Sequence, residues 1–192
     1  MVRTDAVVTN PSLYRALAAL PTATQGEIYD GQLFTKRRPT GNQVLAASSL
    51  CAELNLAYRK HPNSERWWVL KSPEIHFKLD EVVLVPDIAA WRKGRPHIIP
   101  DDHKFMTKPD WICEMTSPAA KDVCLWRKLA LYAQLGITYL WLATPEQGEI
   151  ETYQCTGDEW VKTGTFSGCE PVCAEPFAEL DMPVAGLLGR DN

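Results

Sequence analysis

Two acidic residues lie inside runs that otherwise read as buried β-strands, and this constrains the fold more than any other feature. Val82-Val83-Leu84-Val85-Pro86-Asp87-Ile88-Ala89-Ala90-Trp91 carries Asp87, and Trp111-Ile112-Cys113-Glu114-Met115-Thr116 carries Glu114. Runs this apolar suit central strands rather than solvated ones. A carboxylate there is costly unless it is paired or holds a metal ion. Pro86 cannot donate to a ladder, so it marks an edge or a bulge just before Asp87. Each acid also has a plainer reading. Asp87 could cap a turn after Pro86, and Glu114 could face solvent from an alternating strand. If instead the two carboxylates converge from neighbouring strands, they suit Mg²⁺, which takes hard oxygen ligands and keeps several waters.

The rest of the chain supplies elements to pack around these strands. Ser12 to Leu20 reads as a short helix, capped by Asn10 with Pro11 in its first turn and stopped by Pro21. Glu27 to Phe34 reads as a hairpin, because Asp30-Gly31 between apolar residues favours a tight primed turn. Val44, Ala47, Leu50, Cys51, Leu54 and Tyr58 recur at helical spacing over positions 42 to 60. Strands are expected at Trp67–Leu70, Glu74–Leu79, Val82–Trp91, Trp111–Thr116 and Thr138–Ala143, with 94 to 109 as a loop. A helix from about Ala120 ends at Gly136, a C-capping residue. Glu149–Gln154 and Trp160–Phe166 form a second hairpin, and the tail holds a short apolar helix near Phe177 to Leu180. One α+β domain over residues 1–192 accounts for this, with a core at about 10–155 and a hairpin and tail at 156–192.

Helical spacing places Lys128 beside a buried face without deciding its role. Leu125, Leu129 and Tyr132 share one face of the helix that follows Glu114. Lys128 borders that face, four residues before Tyr132. It either reaches the carboxylates or snorkels, its stem covering apolar surface.

Charge bounds the partners. Twenty Lys and Arg against 24 Asp and Glu leave a net −4, without the basic footprint of a dedicated nucleic-acid-binding module. Carboxylates of a metal cluster would themselves pull the balance negative. The basic runs Lys36-Arg37-Arg38 and Arg92, Lys93, Arg95 read as solvated loops. The six cysteines form no Cys-x-x-Cys, and Cys51 and Cys113 lie in apolar stretches, so reduced thiols are expected. Cys169 and Cys173 have no accompanying ligands for zinc. His61, His76, His97 and His103 show no ligand spacing. No signal peptide opens the chain, and no apolar run approaches the ~18 residues of a membrane helix. The expectation is a cytoplasmic protein that does not enter membranes.

The ordered segments carry more than their parts. Val85-Pro86-Asp87-Ile88-Ala89 comes first, and Lys108-Pro109-Asp110-Trp111-Ile112-Cys113-Glu114-Met115-Thr116-Ser117-Pro118 follows. Then come Lys128-Leu129-Ala130-Leu131-Tyr132 and Gly136-Ile137-Thr138-Tyr139-Leu140-Trp141. Together they resemble the Uma-type family of restriction-endonuclease-like proteins, within the PD-(D/E)XK nuclease superfamily. The resemblance runs from about Leu13 to Tyr153. It implies an α/β fold, an α/β/α sandwich around a central mixed β-sheet. It implies hydrolysis of phosphodiester bonds in nucleic acid, with DNA as the expected partner and Mg²⁺ as cofactor, for which Mn²⁺ can substitute. It assigns Asp87 as the first acid, Glu114 as the second and Lys128 as the catalytic lysine, placed on the following helix. Glu27 matches an early family Glu that joins the catalytic and metal-binding set.

Thr116 stands two residues after Glu114, so the ordinary E-x-K form is absent and the lysine on the helix takes its place. The chain departs from the family in two places. Asn42 stands where the family often has His, and Asp122 lies two residues earlier than the family's Asp before the helix lysine. The acidic net charge and the Asn42 departure leave a second reading: a weak or inactive nuclease fold that binds nucleic acid or a protein partner. Many nucleases of the superfamily are dimers. Trp67 and Trp68 cannot both face one side of a strand, so a homodimer that covers one of them is a further expectation.

Overall fold

A computed structural model describes residues 11–22, 24–36, 38–60, 67–94, 99–118 and 123–190. Asn10, Arg37, His61, Arg95, His97, Ala120 and Asp122 lie outside them. The chain runs α1 (Pro11–Ala18), β1 (Gly26–Tyr29), β2 (Gln32–Thr35), α2 (Gly41–Lys60), β3 (Trp67–Lys71), β4 (Glu74–Lys78) and β5 (Val82–Leu84). It continues through β6 (Ile88–Arg92), β7 (Lys104–Phe105), β8 (Trp111–Met115), α3 (Val123–Gln134), β9 (Tyr139–Thr144), β10 (Glu149–Thr156), β11 (Glu159–Ser167) and α4 (Val184–Leu187).

The architecture is mixed α/β, as expected, but it has two sheets. The central one has six strands in the order β11-β10-β9-β8-β6-β3. Only β8 and β9 in it run parallel, and α3 supplies the crossover that a parallel pair requires. The other sheet has the order β2-β1-β5-β4-β7. The long run 82–91 is therefore not one strand. Its first part, β5, pairs with β1 and β4, while its last part, β6, pairs with β3 and β8. Val85-Pro86-Asp87 is the link between the sheets, at the place where proline withdraws a donor from the ladder.

Both faces of the six-stranded sheet are covered, and residue parity decides which side chain goes where. Ile88, Ala90, Trp111, Cys113, Trp141 and Ala143 pack against Ala46, Leu50 and Leu54 of α2. Ala89, Trp91, Ile112, Leu140 and Leu142 pack on the opposite side, against Leu129 and Tyr132 of α3 and against Tyr29, Ile75 and Leu84 of the smaller sheet. Asp87 shares the parity of Ala89, and Glu114 that of Ile112. Both acids are thereby directed to the side where α3 and the second sheet meet. The outer face of the second sheet is closed by α1, where Leu17 packs with Ile28 and Val83.

Local chemistry explains the remaining elements. Tyr29 pairs with Gln32, leaving Asp30 and Gly31 as a two-residue loop, both at positive φ (51° and 66°). That is the primed turn expected of Asp-Gly. Thr40 and Gln43 cap α2 reciprocally, the Thr40 N–H donating to Gln43 Oε1 and the Gln43 N–H to Thr40 Oγ1. Val44, expected on the buried face of α2, is exposed, whereas Ala47, Leu50, Leu54 and Tyr58 are buried. The supposed loop 94–109 contributes β7, which pairs in parallel with β4. The tail helix forms at Val184–Leu187, not at 177–180. Phe177 is fully buried and makes edge contacts with Trp67, Trp111 and Trp141. Trp67 is buried and Trp68 is exposed, with the Lys93 ammonium 4.0 Å from its ring centre. Among the described residues no helix is long and apolar enough to cross a membrane.

Candidate active site

The link between the sheets becomes a polar centre inside an apolar seam. Glu27 lies on β1 with the parity of Tyr29, so it faces the same seam. Its Oε1 accepts the Val85 N–H at 2.8 Å and lies 2.6 Å from the Lys128 ammonium. Lys128 comes from the opposite wall, on α3. It also reaches Glu114 Oε1 at 2.7 Å and the Val85 carbonyl at 3.3 Å. Its three N–H donors are thus all engaged. Tyr132, one turn further along α3, donates to the same Glu114 Oε1 at 3.0 Å. Asp87 Oδ2 accepts the Met115 N–H at 2.7 Å, which ties the link to β8.

A second lysine closes the outer side. Lys36 follows β2, and its backbone N–H donates to Gln25 O at 2.8 Å, holding it beside β1. Its ammonium is 3.0 Å from Asp87 Oδ1, 3.7 Å from Glu114 Oε2 and 2.9 Å from Val85 O. The basic run was assigned to solvent on sequence grounds. Lys36 is instead turned inward, with 20% of its side chain accessible against 6% for Lys128. Nothing local marked it, since it lies 51 residues from Asp87 along the chain.

Electrostatics separates the two acids. Burial favours the neutral form of Asp87, but Lys36 and Lys128 and the Met115 amide outweigh it, and its pKa falls below the ordinary value. Burial dominates at Glu114 and pushes it up. Lys128 and Lys36 oppose that rise, while the neighbouring Asp87 and Glu27 charges add to it. Burial disfavours the Lys36 cation, yet Glu114, Asp87 and Glu27 more than compensate, so it stays charged. Tyr132 is held well above its usual value, first by burial and then by the Glu114 and Glu27 charges.

All four residues named from the sequence, Glu27, Asp87, Glu114 and Lys128, therefore meet at one place. Lys36 and Tyr132 are additions. Asn42 is exposed in the first turn of α2, outside these contacts. His76 is buried elsewhere, between Glu74 Oε1 at 2.9 Å and Asp80 Oδ1 at 3.3 Å, and the exposed His103 lies 3.1 Å from the Tyr14 hydroxyl. Cys113 is buried as a free thiol, and Cys169 and Cys173 are exposed and unlinked. Replacing Tyr132 by Phe deletes one donor to a buried carboxylate at almost constant volume. Urea denaturation should show a loss of about 1–2 kcal/mol. A variant as stable as wild type would show that Lys128 alone satisfies Glu114.

The fold is mixed α/β, and its carboxylates and lysines converge at the link between the two sheets. A crystal structure of a "putative nuclease belonging to DUF820" from Anabaena variabilis ATCC 29413 superposes with a TM-score of 0.73. It covers 93% of this chain and 97% of its own, at 19% sequence identity, so the likeness is one of fold. The model of the Uma2 family, described as "Putative restriction endonuclease", matches residues 11–185, and the chain belongs to that family. Comparison with curated proteins returned no match.

Proposed function

We propose that the chain is a metal-dependent endonuclease that hydrolyses phosphodiester bonds of nucleic acid, with DNA as substrate and Mg²⁺ as cofactor, replaceable by Mn²⁺. The observation that carries this reading is the meeting of Asp87 and Glu114 oxygens around a single cation, the Lys36 ammonium. DNA is chosen because the family is described as "Putative restriction endonuclease", and restriction endonucleases as a class cut DNA.

The donor set suits a divalent ion in kind. Asp87 Oδ1, Glu114 Oε2 and the Val85 carbonyl are hard oxygens that already surround one positive charge. As placed, no group of three or more His, Cys, Asp or Glu side chains among the described residues forms a ready metal cage. The lysines are interposed. The residues fit a metal once Lys36 withdraws, and Asp87 and Glu114 would then hold it. Such an ion supplies Lewis-acid stabilisation of the phosphate and a water of lowered pKa.

The chain's own residues supply the rest. Asp87, anchored by the Met115 amide, stays ionised and offers Oδ1. Glu114 is oriented by Lys128 and Tyr132 through Oε1, which leaves Oε2 facing the site. Lys128 lies between two buried acids and balances their charge. Glu27 was expected as a further metal ligand. In this geometry it fixes Lys128 and the Val85 amide, and we assign it that positioning role. In the reaction, water adds to phosphorus, the P–O ester bond breaks, and the departing oxygen takes up a proton.

A second reading keeps the fold and drops the chemistry. Lys36 and Lys128 close the acids into a salt-bridge network that would serve a binding module equally well. Purified protein should be incubated with single- and double-stranded DNA and RNA, in Mg²⁺, in Mn²⁺ and in chelator. The nuclease reading expects cleavage of DNA that stops in chelator. Intact substrates under every condition would favour the binding module.

A further inference from the structure

We infer that Lys36 is an internal cation that holds the metal position, so that a divalent ion binds by displacing it. The inference rests on the metal-dependent reading above. Its grounds are geometric. The Lys36 ammonium meets the two carboxylate oxygens that the fold leaves over. Asp87 Oδ2 is used by the Met115 amide, and Asp87 Oδ1 meets Lys36. Glu114 Oε1 is used by Lys128 and Tyr132, and Glu114 Oε2 faces Lys36. The third contact is a backbone carbonyl, Val85 O, at 2.9 Å. Two carboxylate oxygens and a carbonyl oxygen around one positive charge form the ligand set that a small hard cation takes.

The two lysines are not equivalent. Lys128 is walled in by α3 and its three acceptors, with 6% of its side chain accessible. Lys36 is the outer one, at 20%, just after the strand at the edge of the smaller sheet. The segment after it is exposed at Arg38, Pro39 and Thr40 before α2 begins. A four-carbon stem with rotatable bonds can carry the ammonium outward from there without moving a strand. Lys128 has no such exit.

The consequence is a site that stays assembled without metal. Asp87 and Glu114 do not repel each other apart, because a tethered charge lies between them. Metal affinity is correspondingly lowered, since each ion must compete with an ammonium held at high local concentration.

The test is Mn²⁺ binding by titration calorimetry, followed in parallel by the Mn²⁺ electron spin resonance signal. Wild type is compared with Lys36→Met, which keeps the length of the stem and removes the charge, and with Lys36→Arg, which keeps the charge. The expected result is a Kd lowered at least about tenfold in Lys36→Met, equivalent to roughly 1.4 kcal/mol, and not lowered in Lys36→Arg. If Lys36→Met folds poorly without metal, Lys36→Gln takes its place, and the readout is the rise in Tm with Mn²⁺, expected to exceed that of wild type. Adding Asp87→Asn to the charge-removing variant should abolish the gain. Equal or weaker Mn²⁺ binding in the neutral variants overturns the inference alone and leaves any wild-type cleavage standing. Binding by none of the folded proteins overturns both the inference and the metal-dependent reading.

Discussion

Asp87→Asn is expected to lower the rate of Mg²⁺- or Mn²⁺-dependent cleavage by on the order of 10³-fold or more, with the fold kept. The size follows from what the charge does. A metal ion contributes several kcal/mol to the transition state of phosphoryl chemistry, and about 4 kcal/mol is a thousandfold in rate. Asparagine keeps an oxygen that can accept the Met115 N–H, so the tie between the link and β8 survives. Lys36 loses one acceptor and retains the Val85 carbonyl. The stability cost should therefore stay near about 1 kcal/mol. Initial rates on the preferred substrate, with circular dichroism and a melting curve for each protein, make the comparison. A folded variant that cleaves at the wild-type rate removes Asp87 from the site and with it the proposed mechanism.

The largest stability effect should come from Lys128→Met. Glu27 and Glu114 are almost fully buried, and Lys128 is the cation 2.6 and 2.7 Å from them. Removing one partner of a buried ion pair leaves an uncompensated charge and costs about 3–5 kcal/mol. That is a large part of the ~5–15 kcal/mol that holds an ordinary domain. Urea denaturation at neutral pH should show it directly. The loss should also depend on pH, with a definite sign. Glu114 already has a raised affinity for its proton in the folded chain. Without Lys128 that affinity rises further, so the folded chain binds more protons than the unfolded one above the ordinary carboxylate range. Stability of the variant then falls as pH climbs through that window and recovers as pH drops into it. Adding Glu27→Gln should return part of the loss, since one of the two orphaned charges is gone, and the two substitutions would not add. A Lys128→Met protein within ±0.5 kcal/mol of wild type, the range of ordinary surface changes, would show that the acids are neutral in the folded chain.

Much of this site could be read before folding, and what could not has a physical reason. Asp87 and Glu114 stood out because a charge inside an apolar strand must be accounted for. Parity along β6 and β8 then directs both to one face, a property that apolar runs encode locally. Lys128 and Glu27 came from family resemblance, because a lysine beside an apolar helical face is equally a snorkelling one. Lys36 has the sequence setting of a solvated loop residue, yet it is turned inward. Its partner lies 51 residues away, and only the β1–β2 hairpin, paired to β5, turns it inward. The second sheet escaped notice for a similar reason. The run 82–91 has uninterrupted strand character on both sides of Pro86, and period alone does not say that its halves pair with different partners. The role of Phe177 was hidden too, since a lone aromatic in a proline-bearing tail gives no sign of the three tryptophans it meets.

Val85 contributes to the site entirely through its main chain. Its N–H is taken by Glu27 and its carbonyl by both lysines, while its side chain is buried and has no polar group to offer. Related chains could therefore carry Ile, Leu or Ala here and lose nothing in chemistry. Proline alone would be barred, for want of the N–H. An alignment would record such a position as interchangeable filler, although three of the charged groups are anchored on its main chain. Letter-by-letter comparison ranks residues by what their side chains do, and it would pass over this one.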